Sequence, residues 1–156
     1  MELQVGQQAP DFTLYDTEKN KVTLSELKGN NVLLLFFPFA FTSVCTKELC
    51  NVRDTISVYN NANAKVFGIS VDSLFTLGKF KEEQKLNFPL LSDFNKDVSK
   101  AYNSLDEQWN FGYAGVSKRS SYIIDKNGVI QFAEILAHPG LLPDFEKINK
   151  TLEYLR

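Results

Sequence analysis

Only two of the 156 residues are cysteine and only one is histidine. A disulfide-stapled secreted scaffold needs more sulfur than that, so in a chain this size the pair reads as either catalytic or simply reduced. A zinc site needs more soft ligands than Cys45, Cys50 and the lone His138 supply, and no metal or other cofactor is expected. An excess of positive charge is also missing. Seventeen Lys and Arg stand against 19 Asp and Glu, which leaves no concentrated basic surface for a nucleic-acid backbone. Long hydrophobic runs are absent too: the longest, 32–37 with its Pro38 and Phe39 continuation, falls well short of a membrane span. Segment 1–11 has neither a basic n-region nor an apolar h-region. The expectation is a soluble, cytoplasmic protein with no nucleic-acid or membrane partner.

What the chain does have is apolar content, 44% of its residues. At this length that suits one domain with a substantial core and is short for two, so residues 1–156 are expected to form a single domain. Strand-like and helix-like segments alternate without a linker, repeat or charge block, which favours an α/β layer architecture. Segments 12–14 and 21–24 suggest a small hairpin, with Ser25 capping a short helix that ends near Gly29. Segment 32–37 is continuously apolar and β-prone, as a strand covered on both faces should be, and Pro38 stops it. Segment 66–71 repeats the pattern, Ser73 starts a helix through Leu86, and 89–91 is a short strand before Asp93 opens another turn and helix. Segments 121–124 and 129–135 flank Asn127-Gly128, a pair suited to a left-handed hairpin turn. Leu141, Phe145, Ile148, Leu152 and Leu155 recur at helical spacing and predict a closing amphipathic helix.

The informative stretch is 38–54. From about Ser43 it reads as a helix, because Cys45, Leu49, Val52, Ile56 and Tyr59 fall on one face at about 100° per residue. Cys45 then sits in the first turn, facing inward, with Thr42 or Ser43 as N-cap. The unpaired N–H groups and the positive end of the helix dipole there favour a thiolate, and hence a nucleophile at neutral pH. The bland alternative is a small buried core residue. Cys50, five residues on, lies about 140° around the helix and away from the apolar stripe. Ideal helix geometry separates the two Cα atoms by roughly 8 to 9 Å, beyond the limit of about 7 Å for a disulfide, so the pair closes only if the helix unwinds. Four intervening residues also depart from the two of a thioredoxin-type redox centre. His138, in the turn-like 137–140, reads as a loop residue rather than a base.

Pro38, Thr42 and Cys45, after an apolar strand, resemble the Pro-x-x-x-Thr-x-x-Cys loop of peroxiredoxins. The resemblance continues through Val5, Gly6, Ala9, Pro10, Asp11 and Phe12, through 88–93 and 98–102, and through 119–128, nearly the whole chain. It implies a thioredoxin-like fold, with a central mixed sheet flanked by helices and an N-terminal hairpin extension. It also implies a thiol peroxidase in which Cys45 attacks hydrogen peroxide or an organic hydroperoxide and becomes a sulfenic acid. In that picture the Thr42 hydroxyl and the Val44 and Cys45 N–H groups orient the peroxide, Arg119 supplies fixed positive charge, and Pro38 shields the sulfur. A thioredoxin-like or glutaredoxin-like protein recycles the enzyme. By residue type alone Arg119 would be solvated; the resemblance places it at the sulfur. Glu48 also matches a family position, but read as part of an exposed helical turn it stays outside the catalytic set.

The phrase 40–45, with Glu48-Leu49 and Arg53-Asp54, is similar to the one-cysteine alkyl hydroperoxide reductase E type, whereas Cys50 matches the resolving position of the bacterioferritin comigratory type. No cysteine follows Cys50, unlike in the typical two-cysteine dimers, so their intersubunit disulfide is not expected; monomer and small homodimer both stay open. Two readings stand beside the enzyme: a peroxide-responsive redox sensor or partner-binding module, and a thioredoxin-like domain with inert cysteines.

Overall fold

The computed structural model describes residues 3–156. In chain order its elements are β1 (Thr13–Asp16), β2 (Lys21–Thr23), β3 (Asn31–Phe36), α1 (Ser43–Asp54), α2 (Ile56–Asn61), β4 (Ala64–Ser70), α3 (Leu74–Gln84), β5 (Leu90–Ser92), α4 (Asp97–Ala101), β6 (Leu105–Asp106), β7 (Val116–Ser117), β8 (Ser120–Ile124), β9 (Ile130–Ile135) and α5 (Phe145–Tyr154), with short 3-10 turns at Leu24–Leu27 and Asn110–Gly112. The continuously apolar run forms β3, buried at every position. Successive side chains of a strand point to opposite faces. Leu33 and Leu35 therefore join one apolar cluster with Leu49, Val52, Ile148 and Leu152, while Val32, Leu34 and Phe36 join another with Phe12, Tyr102 and Tyr122. Both faces are dry, which is why the run carries no polar alternation.

Seven strands form one mixed sheet in the order β2-β1-β5-β4-β3-β8-β9. β3, β4 and β5 are parallel neighbours, with α1, α2 and α3 in the crossovers, whereas β8 meets β3 antiparallel, with Leu34 opposite Tyr122. The N-terminal hairpin β1–β2 attaches to this sheet by pairing antiparallel with β5. At Gly68 on β4 the layers approach closely: a Cβ there would lie 2.7 Å from Leu90 Cδ2 and 3.2 Å from Phe37 Cε1.

Several expectations shift. Ser25 does not cap the short turn after β2; its N–H instead bonds Asp11 Oδ1 at 2.8 Å, and the turn starts at Leu24. The cysteine helix breaks at Thr55, whose N–H is shared between Asn51 O and Val52 O, and resumes as α2. Ile56 and Tyr59 reach the core across the break, so periodicity could not reveal it. Leu141 lies outside the closing helix and is exposed, because α5 begins only where Asp144 accepts the Lys147 N–H. In the β8–β9 turn only Gly128 is left-handed (φ +83°), and Asp125 Oδ1 accepts the N–H groups of Asn127 and Val129. The small β6–β7 ladder, and with it the pairing of Leu105 with Ser117, went unforeseen.

Candidate active site

β3 ends where Pro38 removes a donor, and the chain crosses 38–42 before α1 begins at the carboxyl end of the parallel strands, where α/β sheets place their ligands. Asp72, just beyond β4, holds this crossing. Its Oδ2 accepts the Ala40 N–H at 2.8 Å and the Ser70 hydroxyl at 2.7 Å. Burial pushes the Asp72 carboxyl above the usual range, against the lowering effect of those two donors. Phe41 follows with φ +67°, a strained setting for a bulky residue, and its ring packs edge-on to Phe80 at 5.2 Å. Thr42 occupies the N-cap position without capping: its hydroxyl donates to Phe39 O at 2.8 Å, turned back into the loop. The expected side-chain cap is thus corrected. The first-turn N–H groups of α1, which have no intrahelical acceptor, are left without a side-chain one as well.

Cys45 sits in that first turn, 1% exposed. Arg119, in the link between β7 and β8, donates from Nη2 to Cys45 Sγ at 3.0 Å and from Nη1 to Glu48 Oε1 at 2.5 Å, while Nε donates to Pro139 O at 3.0 Å. The guanidinium is 2% exposed, so its contacts are barely screened by water. Desolvation works against its charge, but the facing Glu48 and Cys45 outweigh it and raise its pKa, keeping it cationic.

Glu48 is the main correction. It is fully buried, one turn from Cys45 and on the same side of α1. Residue type suggested a solvated carboxylate, but the arginine that neutralises it comes from 71 positions away. Its spacing of three from Cys45 was the available signal. Burial drives its carboxyl up to about 7 despite the pull of Arg119, and its Oε2 has no hydrogen-bond partner.

Pro38 is buried and shares with Arg119, Trp109, Ser117, Leu136 and Pro139 the lining of a cavity of about 160 Å³. Phe39 meets Trp109 and Tyr113 edge-on at 5.4 and 5.6 Å beside it. A larger cavity of about 300 Å³ lies elsewhere, between Ala9, Leu24, Val32 and Ile124, with no cysteine in its lining. Val44 is half-buried in the first turn. Cys50 faces another way: half-buried at the edge of the core, it donates to Gln84 Oε1 at 3.5 Å, and both cysteines are free thiols. His138 is an exposed turn residue whose Nδ1 accepts the Gly140 N–H. Among the described residues no group of three His, Cys, Asp or Glu is placed to hold a metal ion, and no helix is long and apolar enough to cross a membrane.

Residues 5–133, which include Cys45, Glu48 and Arg119, match the model of the AhpC/TSA family. The chain belongs to this family. Within it, the chain is 41% identical over 145 residues to the alkyl hydroperoxide reductase E of Mycobacterium tuberculosis, covering 91% of each sequence. It is also 41% identical over 132 residues to the putative peroxiredoxin bcp of Coxiella burnetii, covering 83% of this chain and 87% of that one. These relatives carry the two subgroup names that the Ala40-to-Asp54 segment and Cys50 had suggested. Among solved structures, the peroxidoxin BcpB of Mycobacterium tuberculosis superposes with a TM-score of 0.87 over 99% of both chains at 28% identity. The peroxiredoxin-like protein of Aquifex aeolicus gives 0.90 at 21% identity, a likeness of fold. The architecture of this AhpC/TSA member is accordingly thioredoxin-like, with helices on both faces of its mixed sheet.

Proposed function

We propose that this peroxiredoxin is a thiol peroxidase that reduces hydrogen peroxide and organic hydroperoxides through Cys45, with Cys50 as its resolving thiol. The observation that carries the reading is the 3.0 Å hydrogen bond from Arg119 Nη2 to the Sγ of the buried Cys45 in the first helical turn. A thiolate attacks one peroxide oxygen, the O–O bond breaks, the sulfur is oxidised to a sulfenic acid, and the other oxygen takes a proton and leaves as water or alcohol. The developing charge needs preorganised donors close to the sulfur. Arg119 is one, and the uncapped N–H groups of Val44 and Cys45 are the others; the Thr42 hydroxyl, whose own proton is held by Phe39 O, orients the peroxide by accepting from its O–H. Pro38 covers the sulfur from solvent, and Glu48 positions Arg119. No cofactor takes part. Cys50 then displaces the sulfenic hydroxyl, and a thioredoxin-like or glutaredoxin-like donor reduces the disulfide. A cytoplasmic monomer or small homodimer of one domain fits this reading.

The test is intact mass and free-thiol count after one equivalent of hydrogen peroxide, with Cys45→Ser and Cys50→Ser alongside. Loss of both thiols within one chain is expected, with Cys50→Ser halting at a Cys45 sulfenic acid and Cys45→Ser inert. If Cys45 does not react quickly, the peroxidase reading fails. Steady peroxide consumption with a reductase separates an enzyme from a sensor, which saturates after one oxidation.

A further inference from the structure

The last residue of α3, Gln84, touches α1 twice by different groups. Its main-chain carbonyl, left without an intrahelical partner where Lys85 turns left-handed (φ +53°), accepts Arg53 Nη1 at 2.6 Å. Its side-chain Oε1 accepts the Cys50 thiol at 3.5 Å. Asn87 adds a third tie, donating from Nδ2 to Arg53 O at 3.1 Å. The end of α1 is therefore moored at Arg53, and rearrangement that brings Cys50 to Cys45 falls on the turns before it. Those turns are uncapped at their start.

We propose that Gln84 is a positioning residue for the resolving step: its side chain clasps the Cys50 thiol in the resting helix and slows disulfide formation relative to peroxide attack. The inference rests on Cys50 being the resolving thiol. In the step concerned, the Cys50 sulfur bonds to the Cys45 sulfur and the S–O bond of the sulfenic acid breaks. The hydroxyl leaves with the Cys50 proton as water, Cys50 is oxidised and the sulfenic sulfur is reduced. The contact to Gln84 exists only before that step and is lost in it, so it stabilises the starting state alone. Because Arg53 is held by the main chain of Gln84 and Cys50 by its side chain, a side-chain substitution releases the clasp and leaves the mooring in place.

Rapid-quench kinetics on the full chain tests this, following sulfenic acid and disulfide separately by mass for wild type, Gln84→Ala and Gln84→Glu. Gln84→Ala should form the disulfide about twofold to threefold faster, the factor that loss of one weak thiol hydrogen bond represents, with the rate of Cys45 oxidation unchanged. Gln84→Glu keeps an acceptor and should resolve no faster than wild type. Equal resolution rates in wild type and Gln84→Ala would overturn the clasp while leaving Cys50 as resolving thiol. Equal acceleration in both variants would overturn it too, pointing to a general loosening of α3. A wild type that never forms the disulfide would bring down the resolving role and this inference together.

Discussion

At Glu48 a carboxyl with no exposure has one oxygen on Arg119 and the other without a partner. Its pKa, raised by burial from 4.5 to about 7, means that between those values the folded chain holds a proton that the unfolded chain has released. The contribution of this group to stability is therefore fully present below about pH 4.5 and is lost as pH rises through 7. Asp72 and Asp93, also raised by burial, act in the same direction, so the informative quantity is a difference between variants. Urea unfolding of wild type and Glu48→Gln at pH 5 and pH 8 should show a pH-dependent loss, smaller in the variant by up to about 3 kcal/mol. Identical slopes would mean that Glu48 is ionised throughout. Arg119→Gln removes the donor to Cys45 and should slow its oxidation by about 10² to 10³, as loss of one preorganised donor does. It also strands the Glu48 carboxylate, so it should destabilise the fold by about 3–5 kcal/mol at pH 8 and clearly less at pH 5. A destabilisation independent of pH would contradict the pairing.

At the scale of elements, β3 and the helix that follows were legible because each has one dominant period. Burial on two faces leaves a solid apolar run, and one buried helical face leaves Cys45, Leu49 and Val52 at helical spacing. The break at Thr55 was not legible, since α2 returns Ile56 and Tyr59 to the same cluster. Nor was the need for glycine at position 68, which depends on Leu90 and Phe37 coming from other elements. Leu90 is fully buried and has little room to retreat. Gly68→Ala should cost about 1–3 kcal/mol by overpacking, read as a lower denaturant midpoint at unchanged m. A midpoint equal to wild type would show that the layers part more easily than this spacing implies.

For the whole molecule, the decisive feature is that α1 serves two demands. Its Leu49 and Val52 help fill the cluster on one face of the sheet, while Cys45 and Cys50 cannot join unless its first turns unwind. The disulfide form should thus give up core packing, and calorimetry should find it melting several degrees below the reduced form. An oxidised form at least as stable as the reduced one would mean that the helix closes the bond without unwinding.

The sequence by itself determined the α/β alternation, the doubly covered strand, the Asp125–Gly128 turn and the position of Cys45 in the first turn after that strand, because each is written in residues close together in the chain. The resemblance had placed Arg119 at the sulfur, but tertiary structure alone decided that the same guanidinium, 74 positions from Cys45, also pairs with a buried Glu48, 71 positions away, and that Cys50 rests on Gln84. The turn of the Thr42 hydroxyl to Phe39 instead of a cap on α1 is local, three residues apart, yet residue type alone did not distinguish the two. Local periodicity encodes which face of an element is buried. Which charge or acceptor lies opposite that face is set only when the elements pack, and burial of that pairing then changes the chemistry of the groups themselves.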